Sequence, residues 1–145
     1  MKYLLDASAL LPIVTKRGRR LIEDASTEDL ATTDLAIYEA CNTLWKLSTL
    51  LKALSPEEAQ DTAAILREVA LRNLIQLVTV TKLDLGAILK RAGEERLSFY
   101  DASYAVAAED MKAILVTEDE KLKKIANKLV KTIAYKDLEN RLTTS

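Results

Sequence analysis

The side chains this sequence offers for chemistry are few in kind. It has no His and a single Cys, Cys41, which excludes a Ser-His-Asp triad, a His general base, a His-ligated zinc, an internal disulfide and a Cys-ligated cluster. Its three glycines, Gly18, Gly86 and Gly93, stand too far apart for a phosphate-cradling loop. Carboxylates, hydroxyls, Lys and Arg remain, so any catalysis falls to acids, alone or through a hard cation with oxygen ligands. Four acids occupy informative places. Asp6 ends the apolar run Tyr3-Leu4-Leu5, and Asp119 lies just past Ala113-Ile114-Leu115-Val116-Thr117. Glu39 stands among Leu35, Ile37, Tyr38, Cys41 and Leu44, and Asp101 within Phe99-Tyr100-Asp101-Ala102-Ser103-Tyr104-Ala105-Val106. An acid in apolar company is costly unless it is paired or holds a metal.

Elements must bring these acids together. Short apolar runs at residues 3–5, 30–33, 75–80, 113–117 and 132–134 read as strands. Between them the pattern predicts a brief helical turn over 9–14, a basic connection over 15–20 around Gly18, and a short helix over 19–25. Longer helices follow over 34–51, 56–72, 82–91, 98–110 and 118–128, with a last one from Lys136. The helix over 34–51 carries Ile37, Cys41, Leu44, Ser48 and Leu51 on one face. Ser55-Pro56-Glu57-Glu58 places a Ser cap, a Pro at the first helical position and a Glu at the third. Strands alternating with helices imply an α/β fold, a parallel sheet covered on both faces. Ligands then bind beyond the carboxyl ends of the strands, where the strand order switches. Asp6 and Asp119 end strands at that edge, and Glu39 and Asp101 lie near helix starts at the same edge, so one cleft can collect all four.

Each acid also has an ordinary structural reading. Ser98-x-x-Asp101 and Thr117-x-x-Glu120 are capping-box patterns, as are Ser55-x-x-Glu58 and Thr81-x-x-Asp84. Asp6 can cap the turn that follows it, and Glu39 can be a solvated helix acid. Tyr100 and Tyr104 could stack on bases, although their neighbours favour core packing, and Trp45 is expected in the core or at a subunit interface. Cys41 reads as a small core residue.

The remaining figures bound the class of protein. A chain of 145 residues, 49% hydrophobic and 30% charged, suits one globular domain over 1–145. A formal charge of −1 excludes a grip on nucleic acid by net charge alone. The densest basic run, Lys16-Arg17-Gly18-Arg19-Arg20, follows Asp6 closely and could contact phosphates through Lys16, Arg17, Arg19 and Arg20, or be a solvated loop. No targeting segment or membrane-length apolar stretch is evident, so a cytoplasmic location is expected.

Four segments together resemble the PIN-domain nucleases, and most of all their VapC-type toxin ribonucleases. Leu4-Leu5-Asp6-Ala7-Ser8 is similar to that family's first strand and acid, Glu39-Ala40-Cys41-Asn42 to its Glu-x-x-Asn helix, Ser98-Phe99-Tyr100-Asp101 to its third acidic segment, and Leu115-Val116-Thr117-Glu118-Asp119 to its fourth. The resemblance spans almost the whole chain. It implies a three-layer α/β/α sandwich around a mostly parallel sheet of four to five strands. It also implies metal-binding acids Asp6, Glu39, Asp101 and Asp119, with Ser8, Asn42 and Thr117 in support and Glu118 competing for the fourth place. A small antitoxin partner, homodimerisation and RNA as substrate are further implications.

Charge supports a cation in such a cleft. At ~5 Å and an effective dielectric of ~20, each pair of carboxylates repels by roughly 3 kcal/mol. One or two Mg²⁺ or Mn²⁺ ions relieve that conflict and promote phosphodiester hydrolysis by water, leaving by resemblance a 5′-phosphate and a 3′-hydroxyl. Two other functions fit less of the sequence. A haloacid-dehalogenase-like phosphatase would use Asp6 as nucleophile, but Ser8 stands where its second acid is needed, and a phospho-acceptor receiver would need an acidic pair before Asp6. A non-catalytic RNA- or protein-binding module would not require all four acids.

Overall fold

Five short strands, β1 (Lys2–Leu5), β2 (Asp29–Thr33), β3 (Gln76–Val78), β4 (Ile114–Val116) and β5 (Thr132–Ile133), form one sheet in the order β3-β2-β1-β4-β5, with every pair parallel. The computed structural model describes residues 1–24 and 29–144. Among these residues are seven α-helices: α1 (Ala7–Asp24), α2 (Asp34–Trp45), α3 (Pro56–Leu71), α4 (Leu85–Glu95), α5 (Phe99–Met111), α6 (Glu120–Ala126) and α7 (Tyr135–Thr144). β1 and β4 read as near-continuous apolar runs because both faces of the sheet are covered. The chain steps from β1 outward to β2 and β3, then crosses back to β4 and β5 on the other side of β1. Right-handed crossovers in opposite directions put the two sets of helices on opposite faces. α1 accordingly packs with α2 and α3, while α4 packs with α5, which lies against β1 and β4. The result is the expected α/β/α sandwich, with the order of strands switching between β1 and β4.

The local signals explain most boundaries. Ser55 and Glu58 exchange both bonds of a capping box at the start of α3. Ser98 caps α5, but among the described residues only its half of the box forms, from the Asp101 N–H to Ser98 Oγ at 3.1 Å. The boxes expected at Thr81 and Thr117 give way to a different cap. Asp84 and Asp119 themselves cap α4 and α6, accepting from Ala87 and Leu122 N–H.

Two stretches of the chain need correction. The turn at 9–14, the basic connection at 15–20 and the helix at 19–25 are one helix, α1, running through Pro12 and Gly18 as far as Asp24; Ala25 lies outside the described residues. A single stripe of Leu10, Val14, Gly18 and Leu21, all buried, continues across the glycine, so tertiary packing overrides its poor helix propensity. The buried stripe of α2 is Ala36, Ala40 and Leu44, which keeps Leu44 of the predicted face and otherwise lies one residue round from it. Ile37 and Cys41 are partly buried beside it, Leu51 is exposed, and Trp45 is half exposed, which removes the core placement and leaves the interface one. The end of this helix widens into a π-helical turn, Lys46–Leu50.

Gly18 is where α1 touches α3. A Cβ there would clash with Ile65 Cγ2, a branched carbon one bond from Cβ on a side chain whose rotamer is strongly restricted in a helix. Gly18→Ala gains ~1 kcal/mol of helix propensity, against an overpacking cost of ~1–3 kcal/mol. It is expected to lower the unfolding midpoint by a few degrees. Gly93→Ala, in α4 with nothing within 4 Å of its Cβ, is expected to raise it. Thermal unfolding of the two variants checks this opposite pair of signs.

Candidate active site

Asp6 leaves β1 at the switch in strand order. Its N–H still bonds the Val116 carbonyl at 3.2 Å, so its side chain emerges between β1 and β4. That side chain belongs to a residue only 4% exposed. Oδ1 accepts from Ser8 Oγ at 2.6 Å and from the Ala9 N–H at 3.1 Å, and Oδ2 accepts from Thr117 Oγ1. Asp6 thus also caps the first turn of α1. Burial pushes its carboxyl above the usual Asp range, although these donors all pull the other way.

The turn after β4 is tied to the turn after β1. Thr117 is fully buried and accepts from the Asp119 N–H at 3.0 Å, and Ser8 Oγ accepts from the Glu118 N–H at 2.8 Å. Asp119 therefore faces the cleft, one carboxylate oxygen capping α6. Glu118 points elsewhere, its Oε1 accepting from the Tyr135 N–H at the start of α7 at 2.8 Å. Asp119, and not Glu118, is the fourth acid on the cleft.

Glu39 and Asp101 arrive on helices. Thr33 caps α2 by accepting from the Ala36 N–H, which places Glu39 in the second turn at the sheet's carboxyl edge. Glu39 Oε1 accepts a 2.6 Å bond from the hydroxyl of Tyr104 on α5. Asp101 lies one turn before Tyr104. Its carboxyl is also pushed up, first by partial burial and then by the neighbouring charges of Asp119 and Glu39, with Lys121 opposing.

One open cleft of about 630 Å³ is lined by Asp6, Glu39, Asp101 and Asp119, together with Ser8 and Asn42. Thr117 lies buried behind Asp6. The lining carries four carboxylates and one cation, Lys46. Such an all-oxygen donor set with excess negative charge fits a hard divalent cation. The carboxylates do not form a closed cage: among the described residues no group of three or more Asp, Glu or Cys side chains stands close enough to hold an ion. Mutual repulsion keeps like charges apart, and Mg²⁺ takes only one or two direct carboxylates while keeping several waters.

Other suggested residues lie differently. Lys16, Arg17, Arg19 and Arg20 are helical and none lines the cleft. Lys16 pairs with Glu139 at 3.6 Å and sits 5.1 Å from the Tyr135 ring centroid, against α7. Tyr100, expected in the core, is 59% exposed at the cleft mouth beside Tyr38, because the buried side of α5 begins at Ala102. Tyr104 is buried, as expected. Reading residue types alone missed Lys46 and the Tyr104–Glu39 bond. Helical spacing carried both signals: Glu39, Asn42 and Lys46 follow at three and four residues, and Asp101 and Tyr104 at three.

Comparison with known proteins agrees with this fold. Residues 3–128 match the PIN domain family. A relative from Pyrobaculum aerophilum, named exonuclease VapC9, is 36% identical, over 98% of this chain and 94% of its own. The crystal structure of PAE2754 from the same organism superposes with a TM-score of 0.75 at 32% identity, covering 100% of this chain and 91% of the other. VapBC-1 from nontypeable Haemophilus influenzae shares the fold with a TM-score of 0.57 at 14% identity, covering 94% of this chain and 99% of the other. With the family's fold around an acid-lined cleft at the β1/β4 switch, and a full-length relative named as a nuclease, the chain belongs to the PIN-domain family, among its VapC-like nucleases.

Proposed function

We propose that this protein is a divalent-metal-dependent endoribonuclease and the toxin of a toxin–antitoxin pair. The observation that carries the reading is the lining of one cleft by Asp6, Glu39, Asp101 and Asp119 at the strand-order switch. These four acids are the ion's ligands, directly or through water, and Ser8 and Thr117 hold Asp6 in place for it. Bound Mg²⁺ or Mn²⁺, one ion or two, supplies the Lewis acidity that carboxylates lack. Asn42 and Lys46 on the rim contact the phosphate backbone, and the exposed rings of Tyr38 and Tyr100 stack on unpaired bases. The basic residues of α1 lie outside the cleft lining and contribute at most to more distant phosphates.

The phosphatase reading is weaker. Both oxygens of Asp6 are engaged by Ser8, Ala9 and Thr117, a poor state for a nucleophile, and Ser8 is no substitute for a second acid. A non-catalytic module would have no need of four acids on one cleft.

The antitoxin assignment rests on the VapC-like relative and on two neighbours solved as VapBC pairs, from Haemophilus influenzae and Rickettsia felis. An apolar groove of about 260 Å³, lined by Leu35, Val80, Leu83, Ile88 and Phe99, adjoins the acidic cleft and suits the apolar part of an antitoxin tail. Homodimerisation is assigned to the end of α2 and the turn after it, where Trp45, Leu50 and Leu51 are exposed. Residues 102–108 of α5 are buried within the chain, so the middle of that helix is closed to such an interface. Among the described residues no helix is long and apolar enough to cross a membrane, and a cytoplasmic site of action fits an RNA target.

A covalently closed RNA circle tests the cleavage mode. The protein is expected to open the circle in Mg²⁺ or Mn²⁺, leave a 5′-phosphate and stop in EDTA. Loss of linear RNA with intact circles would replace the endonuclease by an exonuclease, the activity in the relative's name. Stability of both substrates would remove the ribonuclease assignment.

A further inference from the structure

We infer that Tyr104 is a positioning residue which sets the orientation of Glu39 for the metal through a hydrogen bond from its phenol; the inference rests on the acidic cleft being the metal site. The hydroxyl donates to Glu39 Oε1 over 2.6 Å, within the 2.5–3.0 Å range for O–H···O bonds and at its short end. The residue behind that hydroxyl is 2% exposed, locked among core side chains of α5. A rigid donor of this kind fixes its acceptor better than a mobile one.

The four acids are held in unequal ways. Asp6 has donors on both oxygens, and Asp119 is held through its own helix cap. Glu39 has a longer side chain, stands on an open helix face, and among the described residues is tied across the cleft by Tyr104 alone. A free Glu side chain loses rotamer entropy on binding an ion, and Tyr104 removes part of that loss in advance. The bond occupies one oxygen and leaves the other for a cation or its water. It also joins α2 to α5, so the helix that carries Asp101 orients the acid of its neighbour.

The test uses Tyr104→Phe, which keeps the ring, in a double-mutant cycle with Glu39→Gln. Binding of Mn²⁺ alone is measured by calorimetry, and kcat and KM for RNA are measured at saturating Mn²⁺. Tyr104→Phe is expected to weaken Mn²⁺ binding about tenfold, within the range of losses known for partners of metal ligands, and to leave KM for RNA unchanged. In the Glu39→Gln background the same change is expected to have no further effect. Mn²⁺ binding by Tyr104→Phe equal to wild type, or an equal loss in both backgrounds, overturns the inference, because the phenol then acts through packing or not at all. If Glu39→Gln by itself binds Mn²⁺ and cleaves RNA as wild type does, Glu39 is no ligand and the reading of the site fails with it.

Discussion

Asp6→Asn and Asp101→Asn are each expected to lower kcat/KM for RNA roughly a thousandfold or more, equivalent to about 4 kcal/mol of transition-state stabilisation. The amide keeps the shape of the carboxylate and removes its charge, so the loss reports the charge. In Asp6→Asn the fold should survive. The amide oxygen can keep the bonds from Ser8 and the Ala9 N–H, and Thr117 Oγ1 can rotate to accept from the new NH₂ group. A buried charge disappears as well, so the metal-free variant should unfold no earlier than wild type. Asp101 is the cleaner case. Its helix is capped through its backbone N–H and Ser98, which the substitution leaves alone. Rates within about threefold of wild type from both purified variants would refute the assignment of these acids.

How much of this site could be read in advance differs from residue to residue. Asp6 and Asp119 were legible because a strand's end is a fixed address: an apolar run, then an acid, places the side chain at the sheet's carboxyl edge whatever the details. Glu39 and Asp101 were legible as acids in apolar settings. What pattern could not supply was the direction of a side chain. Glu118 and Asp119 are neighbours with the same charge, and only the cap at Leu122 N–H and the bond to Tyr135 N–H separate their roles. Tyr100 was misplaced for a similar reason. Its neighbours are apolar, but it precedes the first buried position of α5, Ala102, and so stays in water.

The fold was legible where periodicity and caps agreed and obscured where tertiary contact overrode them. The strands and the capped helices α3 and α5 fall within a few residues of their predicted bounds. The opening helix did not, because Gly18 in a basic stretch reads in isolation as a connection between two short helices. Inside the fold, Gly18 leaves no room for a side chain beside Ile65, a reason for glycine that lies far away in sequence, on another helix. That error made a connecting loop of four helical cations, two of them packed near α7.

Divalent metal is expected to stabilise this protein strongly at pH 8 and hardly at all at pH 4. Asp6 and Asp101 both have carboxyls raised above the ordinary value of about 3.9. For a raised acid the folded state binds the proton more tightly than the unfolded chain does. Its contribution to stability is therefore complete below the unfolded value and is lost as pH rises through the folded one. In the metal-free protein these two groups make the native state progressively less favourable above about pH 4. A cation reverses the preference, because it favours the ionised carboxylates and competes with protons for them. At a free ion concentration of about 100 Kd, binding to the native state alone contributes ~2.7 kcal/mol. For a domain of this size that is roughly 5–11 °C in unfolding midpoint. The shift should disappear in acid, where the protons win, and should shrink at pH 8 in Asp6→Asn. Thermal unfolding with and without Mn²⁺ across this pH range reads the effect directly, and an equal shift at pH 4 and pH 8 would place the ion on groups other than these carboxylates.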